Sequence, residues 1–416
     1  MATQRRVVVT GYGAVTSSGV NVPSIWDSII ECKPGYARHE FKDEKIGARF
    51  FGFVNEDKSG LKPFKKSLLR AVPTFGRHAL VAAHEAIEMA FGNASEMDRF
   101  HDPFDRGVIV GTGWGGCDSV NINNEEYMNH GFSSPFSTLM SMNSIATGAV
   151  AMNWRMRGYQ NTPVAACASG TIALGDAYEI IRSGRANMMI AGGSESLRGQ
   201  FNVWSIDVLQ ALSKEQEGLS SACCPFDKKR SGFVLSEGSA ILVMEDYDSA
   251  KNRNADILGE IVGYANFTDA KDYTAPAEDM MARVMAIRSA CNQAGISAAD
   301  IDYINAHGTS TPLNDLNESN AIKMALGDSA YSTAISSTKS YTGHLIGAAG
   351  SLEAIFCLKT LQTGMIPATI HLNDPDPECD LDYTPNTHRH DPGIEYALNL
   401  SFGFGGSNAA IVLKKA

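Results

Sequence analysis

The chain has 416 residues, 44% of them hydrophobic, 39 glycines and a formal net charge of −11 at pH 7. That composition argues against a disordered chain, and no apolar run is long enough to span a bilayer as a helix. The negative charge argues against a nucleic-acid binder and obliges any acidic partner to find a local basic patch.

From the N-terminus, "RRVVVTG" reads as a strand whose apolar core is too short for a signal peptide. "VVVTGYGAVT" imitates a dinucleotide fingerprint, but Thr16 holds the third glycine position and no acidic residue is placed to hold a ribose. A helix is expected over 75–90, then the strand "RGVIVGTG"; the "GTGWGG" that ends it lacks the Lys-Ser/Thr of a phosphate loop. A strand-like run from Val164 to Ala166 leads into Cys167 and a small-residue helix to about Ser183, capped by Gly184 and followed by "NMMIAGG". "AILVME" and "GEIVGYA" are further strands, 280–294 a helix, "DYINAHGT" a strand and 315–326 a helix. "STKSYTGHLIGAAGSLEAIFCLKTLQTG" then repeats the loop-to-helix pattern from His344 to Gly364, followed by "MIPATI"; "ALNLSFG" and "AAIVLKK" close the chain. The two halves resemble each other. The expected architecture is a pseudo-duplicated α/β fold with two sheets and helices sandwiched between them.

Eight cysteines show no C-x-x-C pair and no histidine-rich ligand spacing. They read as free thiols of a reducing compartment rather than a disulfide frame or a zinc site, and the protein is expected to be cytoplasmic. Cys167 differs from the rest. At a helix N-terminus its thiolate would face free N–H groups and the positive end of the helix dipole, and Ala168, Ser169 and Gly170 leave room for a substrate. The other reading, a small buried hydrophobe, suits Cys291 or Cys357 better, since both lie inside helix-like runs.

His307 in "INAHGTSTPLND" and His344 in "STKSYTGHLIGAAG" each end a polar or strand segment before a loop or a small-residue helix. Each is either a catalytic group presented on a loop or a satisfied loop histidine. Glu353 falls in the apolar "AAGSLEAIFCL", where a carboxylate is costly unless paired; Lys339 is the candidate partner, and an exposed helix face is the alternative. In "SFGFGGSN", Phe404 stands between Gly403 and Gly405, which suits either an aromatic gate with a backbone N–H donor or a plain hairpin turn. "HRHD" reads as a solvated turn, not a metal site.

Taken together, "AACASG", "NAHGTSTPLND", "SSTKSYTGHLIGAAG" and "SFGFGGSN" resemble the 3-oxoacyl-[acyl-carrier-protein] synthase II type of condensing enzyme, nearly end to end. The resemblance implies a thiolase-like fold, two pseudo-repeated halves in a five-layered αβαβα sandwich. An N-terminal half, 1–255, would carry the cysteine; a C-terminal half, 256–416, would carry both histidines and the gate loop. It implies decarboxylative condensation of malonyl-carrier protein with an acyl group held on Cys167, in fatty acid elongation. His307 and His344 would assist decarboxylation, Lys339 with Glu353 would set the electrostatics, and the N–H groups of Cys167 and Phe404 would form the oxyanion hole. Thr309 and Thr311 would bind the pantetheine arm. Phe402 would line the substrate site, with Trp114 and Ile206 shaping the acyl pocket. Trp114 stands where relatives carry a smaller aliphatic residue and Ile206 where Phe is common, so a short or unusually shaped acyl group is expected. Ser231 and Leu400 also depart from the usual pattern, which puts a structural cation in doubt. No metal or cofactor is implied beyond the phosphopantetheine arm that carries the substrates. Lys62, Lys65, Lys66 and Arg70 are the candidate docking patch for an acidic acyl carrier protein, or else a solvated helix end. The partner would be a second copy of the chain or a Cys-less chain-length-factor-like relative. A degradative thiolase would need a second cysteine where "SFGFGG" stands; the active ketosynthase of a polyketide or polyene pair is the other reading.

Overall fold

A computed structural model describes residues 4–55 and 60–416. Ten strands form its main sheet: β1 (Val7–Thr16), β2 (Arg106–Gly111), β3 (Gln160–Asn161), β4 (Met188–Glu195), β5 (Gly238–Asp246), β6 (Gly259–Thr268), β7 (Tyr303–Asn305), β8 (Ala334–Ser336), β9 (Tyr396–Gly403) and β10 (Ser407–Lys414). Their order across the sheet is β8-β7-β9-β10-β6-β1-β5-β4-β2-β3. Counted outward from the β6–β1 seam, each half runs first, fifth, fourth, second, third strand in its own chain order. Orientations repeat as well: two antiparallel pairings followed by two parallel ones on each side. The halves are thus two copies of one topology.

Two separate sheets were the expectation. Instead, Val7, Val8 and Val9 pair antiparallel with Ile261, Glu260 and Gly259, joining the halves into one hydrogen-bonded sheet. Helices α2 (Ser169–Arg182) and α5 (Ala349–Thr363) touch strands of both halves, so the half-sheets face each other across this helical layer. Helix α1 (Thr74–Phe91) packs outside β1, β5 and β4, while α3 (Met281–Ala294), backed by α4 (Pro312–Leu326), packs outside β6 and β10. Five layers result.

Strand alternation divides the core accordingly. Val108, Val110, Met188, Ile190, Ile241 and Val243 face the cluster under α1, whereas Ile109, Met189, Ala191, Leu242 and Met244 face the central helices. In the second half Leu398, Leu400 and Val412 face α3 and α4, and Ala397, Ile411 and Leu413 face inward. Strands covered on both faces need no polar positions, which is why these segments read as continuous apolar runs.

Two expected strands are shorter. Val164–Ala166 forms no ladder: β3 ends at Asn161, and Pro163, which has no N–H to donate, follows it. "MIPATI" is a strand only at Met365–Ile366, stopped by Pro367, and it pairs with Arg389–His390. "HRHD" is therefore one edge of a small ribbon, not a turn; Arg389, His390 and Asp391 are exposed as expected, whereas His388 is half-buried and its Nδ1 accepts from the N–H of Ala368.

Candidate active site

The pseudo-repeat brings two matching elbows to the centre of the molecule. In each, a residue with left-handed backbone opens a 3-10 turn that feeds a central helix: Ala166 (φ 47°) before α2 and Ile346 (φ 49°) before α5. Non-glycine residues adopt that conformation at a cost, and such strain persists where the surroundings over-determine it. Ser169 supplies part of that constraint: its hydroxyl donates to the carbonyls of Thr112 and Ala166 and accepts from the N–H of Ala165.

Cys167 sits in the first elbow, 5% exposed, in the wall of a cavity of about 480 Å³. The acidified, exposed thiol expected from a helix tip is not what the fold provides. Burial pushes the Cys167 thiol up to about 12; the Lys339 charge and the N–H of Phe404 act downward without reversing it, and Glu195 adds to the rise. Removing a thiolate from water costs more here than the helix end returns. Cys167 therefore rests as a thiol.

His307 follows β7. Its backbone N–H and that of Gly308 each donate to Glu318 at 2.7 Å, one to each carboxylate oxygen. Glu318 projects from α4, fully buried, its carboxyl raised by burial to about 7. His344 precedes the second elbow. Its Nδ1 accepts from the N–H of Ile346 at 3.3 Å, so in the neutral ring the proton is on Nε2, where no protein acceptor meets it. The two imidazoles lie 5.3 Å apart at 83°, and one atom from each of Cys167, His307 and His344 falls within a 4.8 Å cluster. Burial, then the charge of Lys339, holds both histidines well below 6.5, so both are neutral at physiological pH.

Lys339 itself is buried and bonds Glu353 of α5 at 2.5 Å. Burial pushes the Glu353 carboxyl up, opposed by Lys339. The loop after β9 lines the same cavity through Gly403, Phe404 and Gly406. A Cβ added to Gly403 would lie 3.1 Å from the Cys167 nitrogen and 3.0 Å from the Ala165 oxygen, so any larger residue would press this strand end away from the elbow. The N–H of Phe404 is directed at the Cys167 sulfur. Loop and hairpin are one object: Phe404–Gly406 is the turn joining β9 to β10.

Thr309, Thr311, Phe402 and Phe404 line the same cavity as Cys167, His307 and His344, and the two threonine hydroxyls are 2.9 Å apart. Trp114 and Ile206 do not line it. They pack in an apolar cluster that includes Cys167, Phe233 and Ile346, behind the lining of that cavity rather than in it. Lys62, Lys65, Lys66 and Arg70 are all exposed, the last two on the short helix Lys66–Ala71.

Cys167, His307 and His344 are the one group among the described residues whose ligand atoms could surround a metal ion. The Lys339 charge that depresses both histidines would oppose a cation there, so the donor set fits a neutral substrate carbonyl better. Sequence reading missed Glu318, Ser169, Gly403 as a contact point, and Phe233, whose ring lies 5.1 Å from that of His344. The signal available for Glu318 was its place in 315–326 among residues 314, 315, 319, 321 and 322, all of which are buried.

The N-terminal domain of the beta-ketoacyl synthase family matches residues 4–250, and its C-terminal domain residues 258–373. The 3-oxoacyl-[acyl-carrier-protein] synthase 2 of Staphylococcus aureus is 38% identical, covering 100% of this chain and 99% of its own. The protein of the same name from Synechocystis sp. is 39% identical over 99% and 98%. Among solved structures, a chain of a type II polyketide-synthase acyl-carrier protein complexed with its ketosynthase, bound to the hexaketide, superposes with TM-score 0.91 at 35% identity, covering 99% of this chain and 100% of that one. A beta-ketoacyl synthase from Burkholderia phymatum gives 0.89 at 30%, with the same coverage.

Proposed function

The chain belongs to the beta-ketoacyl synthase family, with the thiolase-like fold of its relatives, and from that premise we propose how its residues run the reaction. It is a 3-oxoacyl-[acyl-carrier-protein] synthase, an acyltransferase that condenses malonyl-carrier protein with an enzyme-held acyl group in fatty acid elongation. The observation that carries the site assignment is the convergence of Cys167, His307 and His344 on one cavity.

In the first half-reaction the Cys167 sulfur attacks the thioester carbon of an acyl-carrier protein. The N–H groups of Cys167 and Phe404 hold the oxyanion, the C–S bond to pantetheine breaks, and the thiol proton passes to the departing sulfur. In the second, malonyl-carrier protein occupies the cavity. Its C–CO₂ bond breaks and the electron pair moves into a thioester enolate, whose oxygen accepts from the Nε2–H of His344, with His307 beside it. The enolate carbon attacks the acyl carbonyl on Cys167; the tetrahedral intermediate collapses, expels the cysteine thiolate and leaves a β-ketoacyl-carrier protein. No strong base is needed, because carbon dioxide loss creates the nucleophile; the site needs neutral donors, which two depressed histidines are. Burial, helped by the charge of Lys339 held in place by Glu353, keeps them so. Thr309 and Thr311 hold the pantetheine arm, Phe402 lines its end, and Phe404 gates it.

Acyl carrier protein is the partner, docking at Lys62, Lys65, Lys66 and Arg70. The protein acts in the cytoplasm, and no helix among the described residues is long and apolar enough to cross a membrane. The chain pairs with a second copy or with a Cys-less relative, a reading supported by the exposed apolar side chains of Met128 and Phe132, 74% and 73% exposed. The seam between functional halves falls at 255/256. A second reading, the active ketosynthase of a type II polyketide or polyene pair, is favoured by the 35% identity to a chain of the polyketide complex.

Mass spectrometry of Cys167 after incubation with short- and long-chain acyl-carrier proteins, followed by malonyl-carrier protein, tests the reading. Acylation at Cys167 and conversion to β-ketoacyl product are expected, with short chains preferred and Trp114→Ile admitting longer ones. Label that survives Cys167→Ala would overturn the nucleophile; a wild-type preference for long chains would overturn the pocket.

A further inference from the structure

One charged side chain in the cavity wall has no part in the steps above. Arg283 occupies the first turn of α3, on the face shared by Val284, Ile287, Ala290 and Cys291, and is 4% exposed. A guanidinium on the buried face of a helix normally finds a carboxylate. This one does not. No described acid lies within 4.0 Å of it, and its Nε and Nη1 have no hydrogen-bond partner.

Three acids lie near enough to act on it through space, Glu318, Asp269 and Asp315, and each is engaged elsewhere. Glu318 takes the N–H groups of His307 and Gly308 and the amide of Asn314. Asp269 takes Asn408 and the N–H of Ala277. Asp315 takes the N–H of Phe226 and the amide of Asn314, with Arg230 at 3.8 Å. Burial draws the Arg283 guanidinium down to about 10, so it stays charged at neutral pH. What it does contact is aromatic: its guanidinium carbon stands 4.2 Å from the centre of the Phe402 ring, whose other neighbour is the His307 imidazole at 5.8 Å. Arg283, Phe402, His307 and Cys167 all line one cavity.

We propose that Arg283 forms a carboxylate-binding subsite that recognises the free carboxylate of the malonyl extender before decarboxylation. The inference rests on the condensing reaction above and adds the group that distinguishes extender from primer. A primer thioester ends in hydrocarbon and gives the cation nothing to hold. An extender thioester carries its negative charge a few bonds from the carbonyl, and Phe402 sets the spacing between the cation and the imidazoles. The contact is made in the ground state. As the C–CO₂ bond breaks, charge leaves the carboxylate for the thioester oxygen, so Arg283 acts on binding and specificity more than on the chemical step.

The test compares wild type, Arg283→Met and Arg283→Lys with malonyl-carrier protein as extender and a saturated acyl-carrier protein as primer. Loss of a charge-assisted contact predicts about a tenfold or greater rise in the extender KM for Arg283→Met, with partial recovery in Arg283→Lys. The primer KM and the rate of Cys167 acylation are expected to hold, which also shows the variant to be folded. Malonate is expected to slow iodoacetamide labelling of Cys167 in wild type and not in Arg283→Met. An unchanged extender KM, or equal rises for both substrates, would overturn the subsite; the latter is the result of a cation that only braces Phe402, or that reads the pantetheine phosphate common to both. Absence of any β-ketoacyl product from the wild type would instead sink the condensing reading itself.

Discussion

Lys339→Met isolates the electrostatic keystone of the site. Lys339 and Glu353 are 1% and 2% exposed and 2.5 Å apart, and the second carboxylate oxygen of Glu353 has no partner. Breaking a buried pair from one side costs about 3–5 kcal/mol, because the surviving charge is stranded. Glu353 can escape that cost by taking up a proton. Full neutralisation at pH 7 of a group that titrates at 4.5 in the unfolded chain costs about 3.4 kcal/mol, at about 1.36 kcal/mol per pH unit. The two figures agree, so a destabilisation of about 3 kcal/mol is expected at pH 7. The sign of the pH dependence follows. In the variant, folded Glu353 titrates above its unfolded value and binds a proton the unfolded chain lacks, so stability falls as pH rises. The loss relative to wild type therefore grows by up to about 1.4 kcal/mol between pH 6 and pH 7, and again towards pH 8 until the carboxylate ionises in place. Urea-unfolding midpoints of wild type, Lys339→Met, Glu353→Gln and the double variant, at both ends of that range, measure it. The double variant strands no charge and is expected to recover most of the stability, while its condensation rate stays low because the Lys339 field on both histidines is gone. A single-variant loss below about 1 kcal/mol, a loss independent of pH, or a double variant no better than Lys339→Met would refute the reasoning.

Two further outcomes follow from the geometry. Gly403→Ala places a methyl 3.1 Å from the Cys167 nitrogen and is expected to lower kcat by about 10²–10³, the cost of spoiling an oxyanion donor; wild-type turnover would remove that nitrogen from the hole. Lys65→Glu with Lys66→Glu, both exposed, is expected to raise the KM for carrier protein about tenfold at low salt with kcat unchanged, and an insensitive KM would exclude the patch as the docking surface.

Much of this arrangement was legible because its determinants are local. The strands are covered on both faces, so runs such as "AILVME" and "AAIVLKK" carry a signal no solvent-facing alternation dilutes. The elbows announce themselves by small residues after Cys167 and His344, which the meeting of two helix starts at one centre demands. What escaped was non-local. Whether Cys167 is acidified depends on how much water its packing removes, and the residues that remove it, from Ile46 and Phe51 to Phe233 and Ile346, lie far from it in sequence. The helix tip was read correctly as a feature and wrongly as the dominant one, since burial outweighs it. Arg283 was passed over for a related reason. An arginine in the first turn of a helix looks solvated until the helical period is followed to Ile287 and Cys291, both buried on its side. Trp114 and Ile206 lie next to Cys167, but as members of an apolar cluster rather than of the cavity lining. The cavity itself is lined by His307, Phe402 and Arg283 as well as Cys167. The burial of Cys167 bears on mechanism. A thiol held at about 12 is a poor nucleophile at rest but, once acylated, carries no charge for burial to penalise. Burial therefore stabilises the acyl-enzyme relative to the free thiolate, and it does so in the state that must survive until the extender arrives.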